Sequence, residues 1–201
     1  MSAVSEWIVR EYFEAQGFLV RQPSKYQVSA RPKQAEEEID LLVVNPKASG
    51  HVIAEDVLWG VPEIRQVARA VVSVRGWHTE RISPKLVARM PELVRFADAE
   101  ALKSALRDLG PGPVARILCL PDLPAARPMV SKTLEVLREK GIDGVLLFRP
   151  MLLELAAHVD AQKNYEKSDL LQLLRILKKH DLLKDAQLDL FKKGRHASGE
   201  R

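Results

Sequence analysis

Apolar and polar positions along the chain fall into two alternating rhythms. Over 5–16, Trp7, Ile8, Tyr12 and Phe13 recur at helical spacing, and Gly17 follows where a helix C-terminus favours glycine. Phe18, Leu19 and Val20 then read as a short strand. The stretch 22–34 is polar, holds Pro23 and Pro32, and reads as a loop. Residues 38–44 form a second strand closed by Asn45 and Pro46. A further strand is expected over 51–59, interrupted by Gly60, Val61 and Pro62. The β-branched run 70–75 is a strand.

Downstream, Ser83 and Pro84 form a helix-start pair, and Asp98 is the expected cap of a helix reaching Gly110. After 111–113 come a strand over 115–120, a helix over 129–140, a strand over 144–148 and a helix over 151–160. Continuous apolar strands between amphipathic helices predict an α/β sheet covered on both faces. Ser168 and Asp169 open another helix whose apolar side holds Leu170, Leu171, Leu173, Leu174 and Leu177. The expected organisation is an α/β domain over 1–165, a helical segment over 166–186 and a tail over 187–201.

Composition changes this picture little. The chain has 201 residues, 46% of them hydrophobic, enough for a sizeable core. Its formal charge of +4 arises mostly in the last ten residues, which carry four Lys or Arg against one Glu. Net charge is therefore a weak argument for nucleic acid. The cluster Arg65, Arg69, Arg75, Arg81, Lys85, Arg89 and Arg95 says more, with only Glu63, Glu80 and Glu92 among it. The lone Cys119 lies in an apolar run and reads as a core thiol. One cysteine excludes a disulfide within the chain, which suits a reducing cytoplasm. The amphipathic start, with Glu6, Arg10 and Glu11, is no signal peptide, and no apolar run has the length of a membrane span.

Three local patterns carry chemistry. Glu6 lies eleven residues before Gly17 and Phe18. Glu38, Ile39 and Asp40 open the second strand. Ser73 and Arg75 lie on the third and share one face by the two-residue period. Asp40 is the most informative, because an acid in an apolar strand is costly to bury without a partner. That partner is either a metal or Arg75.

This order resembles the PD-(D/E)XK nuclease superfamily, particularly small Holliday-junction-resolvase-like nucleases. The resemblance covers roughly the first eighty residues. It implies a restriction-endonuclease-like mixed sheet flanked by helices, and a centre for metal-dependent phosphodiester hydrolysis. In that centre Asp40 is the principal ligand of Mg²⁺ or Mn²⁺, the carbonyl of Val74 is another, and Glu6 holds a metal-bound water. The chain departs from the pattern at two places. Ser73 stands where the family has an acid, and Arg75 where it has a lysine. Serine is a weak Mg²⁺ ligand, and a guanidinium stays protonated and clamps phosphate rather than activating water. Glu36, Glu37, Glu55, Asp56, Glu63 and Glu80 are candidates for a relocated carboxylate.

A DNA surface is expected from Arg65, Arg69, Arg75, His78, Lys85 and Arg89. Arg65 and Arg69 share a face if their segment is helical, as do Lys85 and Arg89. Trp77 reads as core rather than a base-stacking platform. Gln187, Leu188, Asp189, Leu190 and Phe191 match every position of the bacterial sliding-clamp-binding pentapeptide. The resemblance implies that Leu190 and Phe191 fill a pocket on the clamp, Leu188 covers an apolar patch and Gln187 bonds at the rim. The competing reading is an amphipathic helix that continues through Leu190 and Phe191.

The expected function is a cytoplasmic, nucleoid-associated, nuclease-like DNA-binding protein of repair or replication, recruited to the clamp, with a homodimer compatible. The alternatives are an active metal-dependent endonuclease and a doubly wound ligand-binding domain. The latter lacks a Gly-rich phosphate loop between strand and helix.

Overall fold

The computed structural model describes residues 3–23, 38–76 and 81–183. Two compact units divide the chain, Met1–Leu152 and Leu153–Arg201.

The first unit is α/β, with a five-stranded mixed sheet flanked by helices. Its strands are β1 (Leu19–Arg21), β2 (Leu41–Val44), β3 (Arg69–Val74), β4 (Ala115–Leu120) and β5 (Gly144–Leu147), in spatial order β1-β2-β3-β4-β5. β1, β2 and β3 pair antiparallel, and β3, β4 and β5 pair parallel. The antiparallel half follows from short connections. The parallel half needs crossovers, supplied by helices.

α1 (Ala3–Ala15) forms from the predicted helical repeat and buries Val9, Tyr12 and Phe13. Its end is a Schellman motif. Gly17, at φ +92°, donates its N–H to the Glu14 carbonyl, and Phe18 donates to the Phe13 carbonyl. The Phe13 and Phe18 rings meet edge-on with centroids 5.3 Å apart, the apolar contact that accompanies such a cap. Glycine is needed there because a Cβ disfavours that φ.

α2 (Val61–Arg65) is a single short helix. α3 (Pro84–Arg89) starts at Ser83, whose hydroxyl accepts from the Leu86 N–H at 3.4 Å. Two turns of 3-10 helix, Pro91–Leu93 and Arg95–Ala97, lead into α4 (Ala99–Leu109). Asp98 holds the cap position of α4 without a side-chain hydrogen bond. α5 (Arg127–Glu139) is the crossover between β4 and β5.

One sheet face presents Leu42, Val71, Leu118, Leu120 and Val145 to a core with Val87, Leu93, Phe96, Ala101, Ala105 and Leu137. These come from α3, the 3-10 turns, α4 and α5. Leu41, Val43, Ala70, Val72, Val74 and Ile117 are buried on the other face, and α1 packs against β1 and β3. Burial on both faces explains why β3 and β4 are unbroken apolar runs.

The strand expected over 51–59 is not formed. That stretch makes a single parallel bridge, Leu58 to Val145, before Gly60 and Pro62 turn the chain into α2. There Trp59 lies on Gly144, where a Cβ would collide with the indole. α6 (Phe148–His158) follows β5 directly. In the second unit, α7 (Asp169–Lys179) is capped by Ser168, which accepts from the Leu171 N–H at 3.2 Å. Lys178 Nζ donates to the carbonyls of Ala156 and Val159. Among the described residues no helix is long and apolar enough to cross a membrane.

Candidate functional site

Asp40 immediately precedes β2, and its N–H donates to the Val72 carbonyl at 2.9 Å. The register Leu41 to Val72 sets Asp40 across from Ser73. Arg75 leaves β3 two residues later and donates its N–H to the Cys119 carbonyl at 2.9 Å. Asp40, Ser73 and Arg75 therefore share one sheet face, beneath the first 3-10 turn.

The side chains meet there. Asp40 Oδ2 accepts from the Val74 N–H at 2.6 Å and lies 3.3 Å from Ser73 Oγ. Ser73 Oγ also lies 2.9 Å from the Glu38 carbonyl oxygen, which accepts from it. Arg75 Nη1 is 3.9 Å from Asp40 Oδ2, and Nη2 donates to Glu38 Oε2 at 3.2 Å and to the Glu92 carbonyl at 2.8 Å. Arg95 donates to the other Glu38 oxygen at 3.0 Å. The side chains of Arg75, Asp40 and Glu38 are 3%, 6% and 7% exposed, so two carboxylates and one guanidinium are withdrawn from water. Arg95, at 35%, is the member that reaches solvent. Two acids against two guanidinia leave the group formally neutral, which a buried charge cluster requires.

This donor set does not suit a divalent cation. Mg²⁺ takes several oxygen ligands. Here the groups around Asp40 include a hydroxyl, a backbone N–H and a guanidinium, itself a cation at the same oxygen. The contact between Val74 and Asp40 is made by the Val74 N–H. Glu6 is half-buried, and its carboxylate accepts from Gln22 Nε2 at 3.4 Å. Among the described residues no three His, Cys, Asp or Glu side chains come together to hold a metal, Glu55, Asp56 and Glu63 included. Glu63 instead accepts from the Gly60 N–H at 2.8 Å, at the start of α2.

The expected basic face separates into parts. α2 ends at Arg65 and Arg69 begins β3, so these two do not share a helix face. Arg69 Nη1 donates to the carbonyls of Leu109, Gly110 and Pro111 at 3.1, 3.1 and 2.7 Å. It closes the C-terminus of α4, where a cation also meets the negative end of the helix dipole. Lys85 and Arg89 do share α3 and are exposed, and neither pairs with a carboxylate among the described residues. Arg65 is exposed and donates to Gln16 Oε1 at 3.2 Å. Trp77, His78, Glu36, Glu37, Glu80 and the pentapeptide Gln187, Leu188, Asp189, Leu190, Phe191 lie outside the described residues.

Cys119 is fully buried, and its thiol is pushed far above its ordinary range by burial and then by the negative charge of Asp40. It is a core residue, not a nucleophile. Sequence reasoning did not assign Glu38 and Arg95 to the cluster. Glu38 had a legible signal, since it lies two residues before Asp40. Arg95 depends on a 3-10 turn that no periodicity announces.

No family model matches the chain, and no curated protein or solved structure matches it.

Proposed function

We propose that this chain is a nuclease-like DNA-binding module that does not cleave DNA, and that an internal ion pair stands where related nucleases hold a metal. The observation that carries the reading is the buried Asp40 carboxylate, bonded to the Val74 N–H at 2.6 Å and set beside Ser73 and Arg75. The opening order α1-β1-β2-α2-β3, in which only the short helix α2 separates the second strand from the third, and the pairing of β2 with β3 support the kinship. The antiparallel first half of the sheet speaks against a doubly wound parallel domain. DNA would meet the exposed cations Lys85 and Arg89 on α3 through its phosphates, a contact independent of sequence. Gln187, Leu188, Asp189, Leu190 and Phe191 would dock the protein on a bacterial sliding clamp.

The test has two arms. With Mg²⁺ or Mn²⁺ and branched, flapped or single-stranded DNA, wild type should bind without cutting. Lys85→Ala with Arg89→Ala should weaken binding and lower the slope of log affinity against log salt by about 2. Cleavage that disappears in Asp40→Ala overturns the non-cleaving reading. Absence of any salt-dependent binding overturns the DNA reading. For the clamp, Leu190→Ala with Phe191→Ala should abolish binding of the full-length protein. Unchanged binding refutes the docking assignment.

A further inference from the structure

Away from the buried cluster, at the far end of β2 and β3, lies a small open cleft of about 230 Å³ lined by Lys47, Ala48, Ser49, Gly50, Val52, Arg65 and Gln66. Its lining holds two cations, a hydroxyl and a primary amide, and no carboxylate. Neither Lys47 nor Arg65 forms an ion pair among the described residues; Arg65 meets only the neutral amide of Gln16, at 3.2 Å. Like charges sharing a wall cost energy unless an anion lies between them.

The walls are held in place by one buried residue. Asn45 is 8% exposed. Its Nδ2 donates to the Arg65 carbonyl at 3.1 Å, and its Oδ1 accepts from the Lys47 N–H at 3.0 Å. A single amide thus fixes the backbone of both cationic residues. Its own N–H donates to the Ala68 carbonyl at 2.8 Å, and the Val52 N–H donates to the Gln66 carbonyl at 3.0 Å. The loop is therefore tied at both ends to the segment that carries Arg65. A site whose ligating residues are positioned in advance loses less entropy on binding. At Gly50 a Cβ would meet nothing within 4 Å, so the mouth is open there. The cleft is smaller than the roughly 300–1,000 Å³ of pockets for drug-sized molecules, which favours a compact group.

We infer that this cleft binds a phosphoryl group, with Lys47 and Arg65 as the cationic contacts and Asn45 as the residue that positions them. Guanidinium and ammonium groups are the side chains suited to phosphate oxygens. The phosphoryl group can belong to a small phosphate compound or to a nucleic-acid backbone. The inference does not rest on the role proposed for Asp40, Ser73 and Arg75.

The test uses the full-length protein and a Lys47→Ala, Arg65→Ala double variant. Both changes are at exposed positions, so the fold should be retained, which circular dichroism checks. Thermal unfolding is followed in pyrophosphate and in chloride at matched ionic strength. Ligand linkage raises the melting temperature of wild type, while general salting effects act on both proteins alike. Wild type should gain a saturating stabilisation from pyrophosphate, and the double variant should lose it. An Asn45→Ala variant should bind pyrophosphate at least threefold more weakly while keeping both cations. A duplex oligonucleotide titration then separates the two sources. A fall of tenfold or more in affinity for the double variant assigns the cleft to a nucleic-acid phosphate. Unchanged oligonucleotide binding together with lost pyrophosphate stabilisation assigns it to a small phosphate compound. Equal stabilisation of wild type and double variant, or none in wild type, overturns the inference.

Discussion

Removing Arg75 tests the buried cluster most directly. Arg75→Met keeps an unbranched side chain of adaptable shape and removes the guanidinium with its charge and hydrogen bonds. The deletion takes one guanidinium from Glu38 Oε2 at 3.2 Å, the neighbouring cation from Asp40 at 3.9 Å, and a donor from the Glu92 carbonyl at 2.8 Å. Breaking a buried ion pair by removing one partner costs about 3–5 kcal/mol, because the other charge stays buried. Glu38 keeps Arg95 at 3.0 Å, and Asp40 keeps the Val74 N–H, so the lower end, about 3 kcal/mol, applies here. At about 2–4 °C per kcal/mol for a unit of this size, the melting temperature should fall by about 6–12 °C. All three tryptophans of the chain, Trp7, Trp59 and Trp77, lie in the unit Met1–Leu152. Tryptophan fluorescence in a urea titration therefore reports that unit selectively. Glu38→Gln combined with Arg75→Met should cost less than the sum of the two single changes, with a coupling of at least about 1 kcal/mol. A loss below about 1 kcal/mol for Arg75→Met, with additive behaviour in the double variant, would make the cluster an incidental contact.

Three further outcomes follow from other parts of the molecule. His51 Nδ1 accepts from the Ala68 N–H at 3.3 Å, and burial first, then the charge of Arg69, lower its pKa below 6.5, Asp143 opposing. The unfolded chain then binds the proton more readily, so stability is complete above that ordinary value and declines as pH falls below it. His51→Gln should flatten the decline in urea midpoints, and an unchanged slope would sink the assignment. The Cys119 thiol should be inert to a disulfide reagent until urea unfolds the protein, its reaction tracking the fluorescence transition; rapid reaction in buffer alone would contradict its burial. Gly144→Ala drives a methyl into the Trp59 ring and should cost about 1–3 kcal/mol, read by the same urea titration; a neutral change would mean that this contact yields easily.

How much was legible in the sequence depended on whether a physical signal was local. Continuous apolar runs announced β2 through β5, because each lies in a sheet covered on both faces, where both sets of side chains must be apolar. Ser83 and Ser168 marked helix starts correctly, since a capping hydroxyl acts within three residues. Residues 51–59 were misread because their apolar content serves packing of Val57 and Trp59, not a ladder. The shared face of Ser73 and Arg75 could be argued from parity alone, whereas Asp40 joins it only through the register that pairs Leu41 with Val72. The participation of Glu38 and Arg95 required knowing that a 3-10 turn crosses above β3, and nothing in the spacing of 91–97 encodes that. Arg69 is the clearest case of a cation whose use is set by distance in space. It reads as a surface charge, yet it serves carbonyls some forty residues away.

That use of Arg69 constrains where the chain can be opened. The turn at 110–113 is rich in glycine and proline, and such turns usually tolerate new termini. Here three successive carbonyl oxygens, from the last residue of α4 and the first two of the turn, converge on a guanidinium rooted in the central strand, and a Cβ at Gly112 would strike it. A circular permutant cut at 111 would release the end of α4 from the sheet, whereas insertions that spare this grip would leave the helix moored.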